Sequence, residues 1–269
     1  MLQSAVSGAA LVAQSLFAAL FPSDCRLCGA PLENISRLPV CPKCLGAILP
    51  ITDQTCGVCG ENLPANVESL VCQACSDHKP DFASAVAYGS YAAELRELIH
   101  LLKYERVLPA ADFLGRRLAD AIAKLPADSQ AAVIVPVPLH PSRRRERRFN
   151  QAELIAAVAV SRMRQPGYEL TTNVLERRRE TISQTGLTRP QRNRNIRGAF
   201  RVAHPNHVAG RVVLVVDDVM TTGTTASECA RVLLNAGALK VYVATVARTL
   251  KMSKAESVTE PLEIAARAS

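Results

Sequence analysis

The sequence predicts an α/β protein: a parallel β-sheet flanked by helices, preceded by a small cysteine-rich module. Two observations lead there. Beyond Pro80, short apolar runs bounded by charge alternate with helical patterns, as in a sheet covered on both faces. Before Pro80, eight of the nine cysteines fall into four Cys-x-x-Cys pairs. The 269 residues leave room for one full α/β domain and a smaller module. The expected divisions are an N-terminal helix over residues 1–22, the cysteine module over 23–80, the α/β domain over 81–250 and a flexible tail over 251–269.

Met1 to Phe21 holds no charged side chain, yet it lacks the basic start of a signal peptide. Gln3, Ser4, Ser7, Gln14 and Ser15 interrupt its apolar run. Export would also expose eight thiols to an oxidising compartment, where metal-ligand spacing makes little sense. The segment is therefore expected to be a cytoplasmic helix packed on the body of the protein, without membrane insertion.

The cysteine module is an internal repeat. Cys25-Arg-Leu-Cys28-Gly29-Ala-Pro-Leu32 returns thirty-one residues later as Cys56-Gly-Val-Cys59-Gly60-Glu-Asn-Leu63. Each copy closes with a second pair, Cys41/Cys44 or Cys72/Cys75, after the same twelve-residue interval. Two such pairs can bring four thiolates to tetrahedral Zn–S geometry and leave no open position, so each of two Zn²⁺ ions is expected to be structural. A redox role is the rival reading, but a redox pair occurs once, beside a βαβ unit. Consecutive ligand sets (Cys25, Cys28, Cys41, Cys44, then Cys56, Cys59, Cys72, Cys75) are expected, and an interleaved cross-brace would use the same residues. Cys229, alone in a helical run, reads as a small buried residue.

In the α/β region, Ala83–Tyr88 reads as a strand. Glu94–Lys103 is an amphipathic helix with Leu95, Leu98, Ile99 and Leu102 on one face. A second helix follows Pro109. Ala132–Val137 is an apolar strand, ended by Pro138 and an arginine-rich turn, and a helix over Gln151–Arg162 follows. Leu170–Leu175 reads as a strand, Val212–Val216 as a buried parallel strand, Ala226–Asn235 as a helix ending near Gly237, and Lys240–Ala247 as another buried strand.

Charge is concentrated. The chain's net charge is +8, yet Arg143 to Arg201 contains fifteen arginines, five glutamates and no lysine, a local +10. Guanidinium forks suit phosphate oxygens, either of a small ligand or of a nucleic-acid backbone. The absence of tryptophan and the scarcity of aromatic residues argue against a sugar-stacking surface or a broad platform for bases.

The strand Val212–Val216 delivers Asp217 and Asp218 to its carboxyl end, where ligands of parallel sheets bind. Thr221, Thr222, Gly223, Thr224 and Thr225 then open a helix. Backbone N–H groups and hydroxyls there can surround a 5-phosphate, and Gly223 permits close approach. The two carboxylates are placed to accept hydrogen bonds from ribose hydroxyls and to stabilise positive charge at the anomeric carbon.

This segment resembles the phosphoribosyl-diphosphate (PRPP) binding motif of type I phosphoribosyltransferases. From about Phe21 to Arg248 the chain resembles the ComF/GntX family, in which a double zinc ribbon precedes such a domain. Further similar blocks are Leu98–Tyr104, Val135–Pro141, Arg147–Gln151, Thr181–Leu187 and Arg192–Phe200. The resemblance implies a type I phosphoribosyltransferase-like sheet, Asp217 and Asp218 as catalytic acids, and Mg²⁺ bound with PRPP. It makes Val137 and Pro138 part of the loop receiving pyrophosphate, and Arg177–Arg197, including Arg192, a mobile loop over the site. It also implies a role in natural transformation or the use of external DNA, with single-stranded DNA and a helicase-type partner as candidates. Two residues depart from the pattern. Arg148 stands where the family often has glycine. Thr221 stands where purine-salvage transferases carry an acidic base, which counts against a purine acceptor. A transferase of unknown acceptor and a non-catalytic PRPP- or phosphate-sensing module that binds DNA both remain open. A transcription regulator is weaker, because no recognition helix is apparent.

Overall fold

The computed structural model describes residues 23–250 except 33, 35, 65–66, 130, 164–166 and 182–188, and leaves the side chains of 189, 190 and 193 undescribed. The expected helix over 1–22, the tail over 251–269 and the block Gln184–Leu187 lie outside the described residues.

The cysteine module contains two short helices, α1 (Pro42–Gly46) and α2 (Gln73–Asp77). Each starts directly after the third cysteine of its set, with φ/ψ of −70°/155° at Cys41 and −71°/154° at Cys72. The repeat in sequence is thus a repeat in backbone.

Next come β1 (Ser84–Ser90), α3 (Ala93–Glu105), α4 (Ala110–Ile122) and β2 (Val133–Pro136). They are followed by α5 (Pro141–Arg147), α6 (Gln151–Arg162), β3 (Glu169–Leu170) and β4 (Leu175–Arg177). The chain continues with α7 (Arg189–Ile196), β5 (Phe200–Val202), β6 (Val212–Met220), α8 (Thr224–Asn235) and β7 (Lys240–Arg248). On α3, Leu95, Leu98, Ile99 and Leu102 are all buried, as the periodicity requires. Two expectations fail locally. The run Leu170–Leu175 is not one strand: β3 ends at Leu170 and β4 begins at Leu175, because the intervening Thr171-Thr172-Asn173 favours a turn. The arginine-rich segment after Pro138 is a helix, α5, started by Pro141 behind the His140 N-cap.

Strands β1, β7, β6, β2 and β3 lie side by side in that order, all parallel. Alternation along the central strands supplies both cores. Leu214 and Val216 of β6, with Tyr242 and Ala244 of β7, pack against α3, α4 and α6. Val213 and Val215, with Val241 and Val243, face Cys229 and Leu233 of α8. Gly115 lets α4 and α6 meet closely, since a Cβ there would lie 2.5 Å from the Cβ of Val158. An antiparallel pair, β4 with β5, joins the second core through Leu175 and Phe200.

The cysteine module straddles β1. Cys25, Cys41 and Cys44 join the first core, while Cys56, Cys59 and Cys75 join the second. Main-chain hydrogen bonds attach it: Ile51 N–H donates to Tyr88 O at 2.7 Å, and Ala85 N–H to Val58 O at 2.8 Å.

Candidate functional site

β2 pairs with β6 only as far as Pro136 opposite Val216, whereas β7 follows β6 on to Met220. From Asp217 onward, β6 has a neighbour on one side and a crevice on the other. The chain leaves β2 towards β3 and leaves β6 towards β7, so the crevice lies where the winding of the sheet reverses, the usual ligand position in such sheets. It opens into a cleft of about 620 Å³, within the range of small-molecule sites.

Asp217 faces the cleft partly open, and Asp218 is buried behind it at 3 % exposure. The Asp217 carboxylate accepts from the Asp218 N–H at 2.9 Å, and that of Asp218 accepts from the Val219 N–H at 3.0 Å. The Lys103 ammonium, from α3, forms a direct ion pair with Asp218. Burial acts to raise the Asp218 carboxyl, but Lys103 outweighs it and holds it below the ordinary carboxylate range. Burial likewise opposes the charge on Lys103, and Asp218 outweighs it to push the ammonium upward. Asp217 is raised well above the carboxylate range, first by burial and then by its charged neighbour Asp218. The two acids are thus inequivalent, and Asp217 holds its proton longer.

Met220 leads into the loop Thr221–Thr225, where Gly223 takes a left-handed φ of 77° at the N-cap of α8. Thr221, Gly223, Thr224 and Thr225 line the cleft. Thr222 does not. It lines the neighbouring groove, and its hydroxyl lies 2.8 Å from that of Thr224. Val137 and Pro138 line the opposite wall.

The arginine-rich region divides in two. Arg143 and Arg147 of α5, Arg177 of β4 and Arg192 of α7 line the cleft. Arg192 donates to the Thr221 hydroxyl at 3.2 Å, and Arg177 stacks over Phe200 with 5.5 Å to the ring centroid. Arg144, Arg145 and Arg148 are exposed outside it. Arg148 has φ of 68°, the left-handed C-cap conformation of α5, so this helix end uses a backbone geometry that glycine adopts without cost. The described ends of the segment Arg177–Arg197 are β4 and α7. Its following turn is anchored where the Gly198 N–H donates to Glu228 at 2.7 Å.

Sequence reasoning missed several cleft residues. Lys103 lies in the block Leu98–Tyr104, and the residue that explains it, Asp218, is far along the chain. Tyr91 and Tyr104 also line the cleft, with the Tyr91 hydroxyl 2.9 Å from His100 Nε2. Tyr104 closes the same block as Lys103, and no local motif marks Tyr91.

The eight thiols gather as two consecutive sets, Cys25/Cys28/Cys41/Cys44 and Cys56/Cys59/Cys72/Cys75. Within each set the sulfurs lie within 4.8 Å of one another. The Sγ–Sγ distances are 3.9 Å for Cys25–Cys44, 3.7 Å for Cys28–Cys41 and 3.6 Å for Cys59–Cys72. A tetrahedron with Zn–S near 2.3 Å has edges of about 3.8 Å. Corresponding N–H groups point at corresponding sulfurs, Cys41 to Cys25 and Cys72 to Cys56, both at 3.3 Å. Burial opposes the thiolates, but these N–H donors outweigh it at Cys25, held down to about 6, and at Cys56, held down to about 7. Both clusters fit structural zinc.

A cleft at the winding reversal, an acid pair on the central strand and a Thr-Gly loop at a helix start define a phosphoribosyltransferase-type fold, here preceded by a double zinc ribbon. Residues 16–76 match the double zinc ribbon domain family, and residues 151–263 the phosphoribosyl transferase domain family. DNA utilization protein YhgH of Escherichia coli K12 is 36 % identical over 233 residues, covering 85 % of this chain and 98 % of that one. Competence protein F of Haemophilus influenzae is 30 % identical over 197 residues, covering 72 % and 84 %. The chain belongs to the ComF/GntX family. Among the described residues, no helix is long and apolar enough to cross a membrane.

Two outcomes are expected. Elemental analysis of protein purified without chelator should give about two zinc ions per chain, falling to about one in Cys56→Ser; a well-folded, metal-free protein would contradict the cluster geometry. For the buried ion pair, Lys103→Met should lower stability by about 3–5 kcal/mol at pH 7 in urea denaturation, because it strands the Asp218 charge. Adding Asp218→Asn should recover most of that loss. Because Asp218 is depressed, its contribution is complete above about pH 4 and fades as pH falls through its folded value. The gap between native protein and Lys103→Met should therefore close in acid.

Proposed function

We propose that this chain binds PRPP with Mg²⁺ in the cleft and serves the utilisation of DNA. The observation behind this is the convergence of Asp217, the Thr221–Thr225 loop and five arginines (Arg96, Arg143, Arg147, Arg177 and Arg192) on one crevice at the end of β6. The names of the two relatives point to the same cellular role. The backbone N–H groups and hydroxyls of Thr221, Gly223, Thr224 and Thr225 would receive the 5-phosphate, aided by the positive end of α8. Asp217 would accept from a ribose hydroxyl, with Asp218 held behind it by Lys103. Val137, Pro138 and the cleft arginines would receive pyrophosphate and neutralise its charge as it leaves. Mg²⁺, when bound, supplies further counter-charge to the phosphate oxygens. An acceptor nucleophile would then attack the anomeric carbon and expel pyrophosphate. Thr221 offers no carboxylate to a purine ring, which counts against a purine acceptor.

Calorimetry with PRPP and Mg²⁺ tests the reading. Binding should be present, and Asp217→Asn should weaken it by up to about tenfold, since a hydrogen bond to a neutral group contributes about 0.5–1.5 kcal/mol. Thr224→Ala should also weaken it. No heat of binding to the intact protein would defeat the proposal. Pyrophosphate release on adding nucleobases, amines or single-stranded DNA then separates a transferase from a binding module.

A second reading, contact with single-stranded DNA, is favoured by the exposed arginines of α5 and its cap. Affinity should fall steeply with salt as counterions are released. Changing Arg144, Arg145 and Arg148 together to Gln should lower both affinity and salt slope while leaving PRPP binding intact, because none of the three lines the cleft. Unaltered DNA binding in that variant would assign the contact elsewhere.

A further inference from the structure

Arg248, the last residue of β7, is 3 % exposed. A guanidinium does not give up its charge, so its burial calls for anionic partners on several sides. One of its terminal nitrogens donates to Glu61 Oε2 at 3.1 Å and to Cys59 Sγ at 3.5 Å. Its Nε and its other terminal nitrogen find no partner. A single carboxylate is a meagre counterpart for a buried cation in this position. Four thiolates around a divalent zinc carry a net charge of about −2, and Cys59 belongs to such a set.

The first cluster shows no equivalent buried cation among the described residues. Among the described residues, Lys43 beside Cys44 is exposed, and Arg26 beside Cys25 is exposed and reaches towards Glu105 on α3. The repeat that made the two cysteine sets alike in backbone has left them unlike in electrostatics.

Arg248 is also joined to the candidate ligand loop. Its carbonyl accepts the Tyr91 N–H at 2.7 Å, and the next residue, Thr249, donates its N–H to Met220 O at 3.0 Å, directly before Thr221. A groove runs between the second cysteine set and this loop, with Cys59, Cys72, Arg248 and Thr222 all in its wall.

We propose that Arg248 is the counter-cation of the second zinc centre and that it couples this centre, and not the first, to the Thr221–Thr225 loop. A partner limited to Glu61 would hold the chain end without any effect on metal. The geometry instead gives the guanidinium a direct hydrogen bond to a metal-binding sulfur, the kind of outer contact whose loss costs about 10–100-fold in metal affinity.

Zinc release from the loaded full-length protein, followed with a chromophoric chelator, tests this. Arg248→Gln should accelerate one of two release phases about tenfold or more and leave the other unchanged. The accelerated phase should persist in a Cys28→Ser background, which assigns it to the second centre. Arg248→Lys keeps the charge without the planar fork, so it should accelerate the same phase less; it serves as the test if the glutamine variant fails to fold. Hydrogen exchange of a peptide spanning residues 221–225 should speed up about tenfold in Arg248→Gln and stay unchanged in Cys28→Ser. Release phases that are unaffected, or accelerated alike, overturn the metal assignment. Unaltered exchange in the arginine variants overturns the coupling. Neither readout depends on PRPP binding, so the inference can fail while the proposed function stands, or the reverse.

Discussion

The unequal length of two neighbouring strands is the constraint on which the candidate site depends. β2 stops at Pro136 and β6 continues to Met220, supported on one side by β7 alone. The carboxyls of Asp217 and Asp218 therefore leave a fully paired sheet where the pairing on one flank ends. A longer β2 would fill the crevice with its own backbone, and a shorter β7 would leave the acid pair without a rigid support. Lys103 then differentiates the two acids, because it comes from a helix on only one face of the sheet.

The same position organises the arginines. Turning the Arg-rich segment into a short helix places Arg143 and Arg147 towards the cleft and Arg144, Arg145 and Arg148 away from it, as helical spacing demands. One basic stretch of sequence thus presents two surfaces, one enclosed and one open to solvent. The small β4–β5 sheet and α7 add Arg177 and Arg192 from the opposite side, so charge converges on the crevice from separate parts of the chain.

The sheet, its helices and the two cysteine sets were legible because each is a local signal: an apolar run such as Val212–Val216, the leucines of α3, or the repeated Cys-x-x-Cys spacing. The Asp217–Thr225 segment was legible for the same reason, since strand, acids and loop are contiguous. What escaped was relational. Nothing near Lys103 reveals that it will meet Asp218, and nothing near Tyr91 marks it as a cleft residue. Thr222 shows the converse, a motif residue that lines the neighbouring groove and reaches the cleft only through its hydroxyl contact with Thr224. The run Leu170–Leu175 misled because apolar ends concealed a turn-forming middle.

The main-chain bonds between Val58, Ile51 and β1 have a consequence for the protein without metal. β1 is the outermost strand of a five-stranded parallel sheet, and a bare edge of that kind is a template for another chain's strand. The cysteine module works as a cover over that edge, and zinc at its two clusters would hold the cover folded. Chelation would therefore produce a self-associating species, so that loss of zinc would be read first as turbidity or higher oligomers and only afterwards as a vacant ligand site.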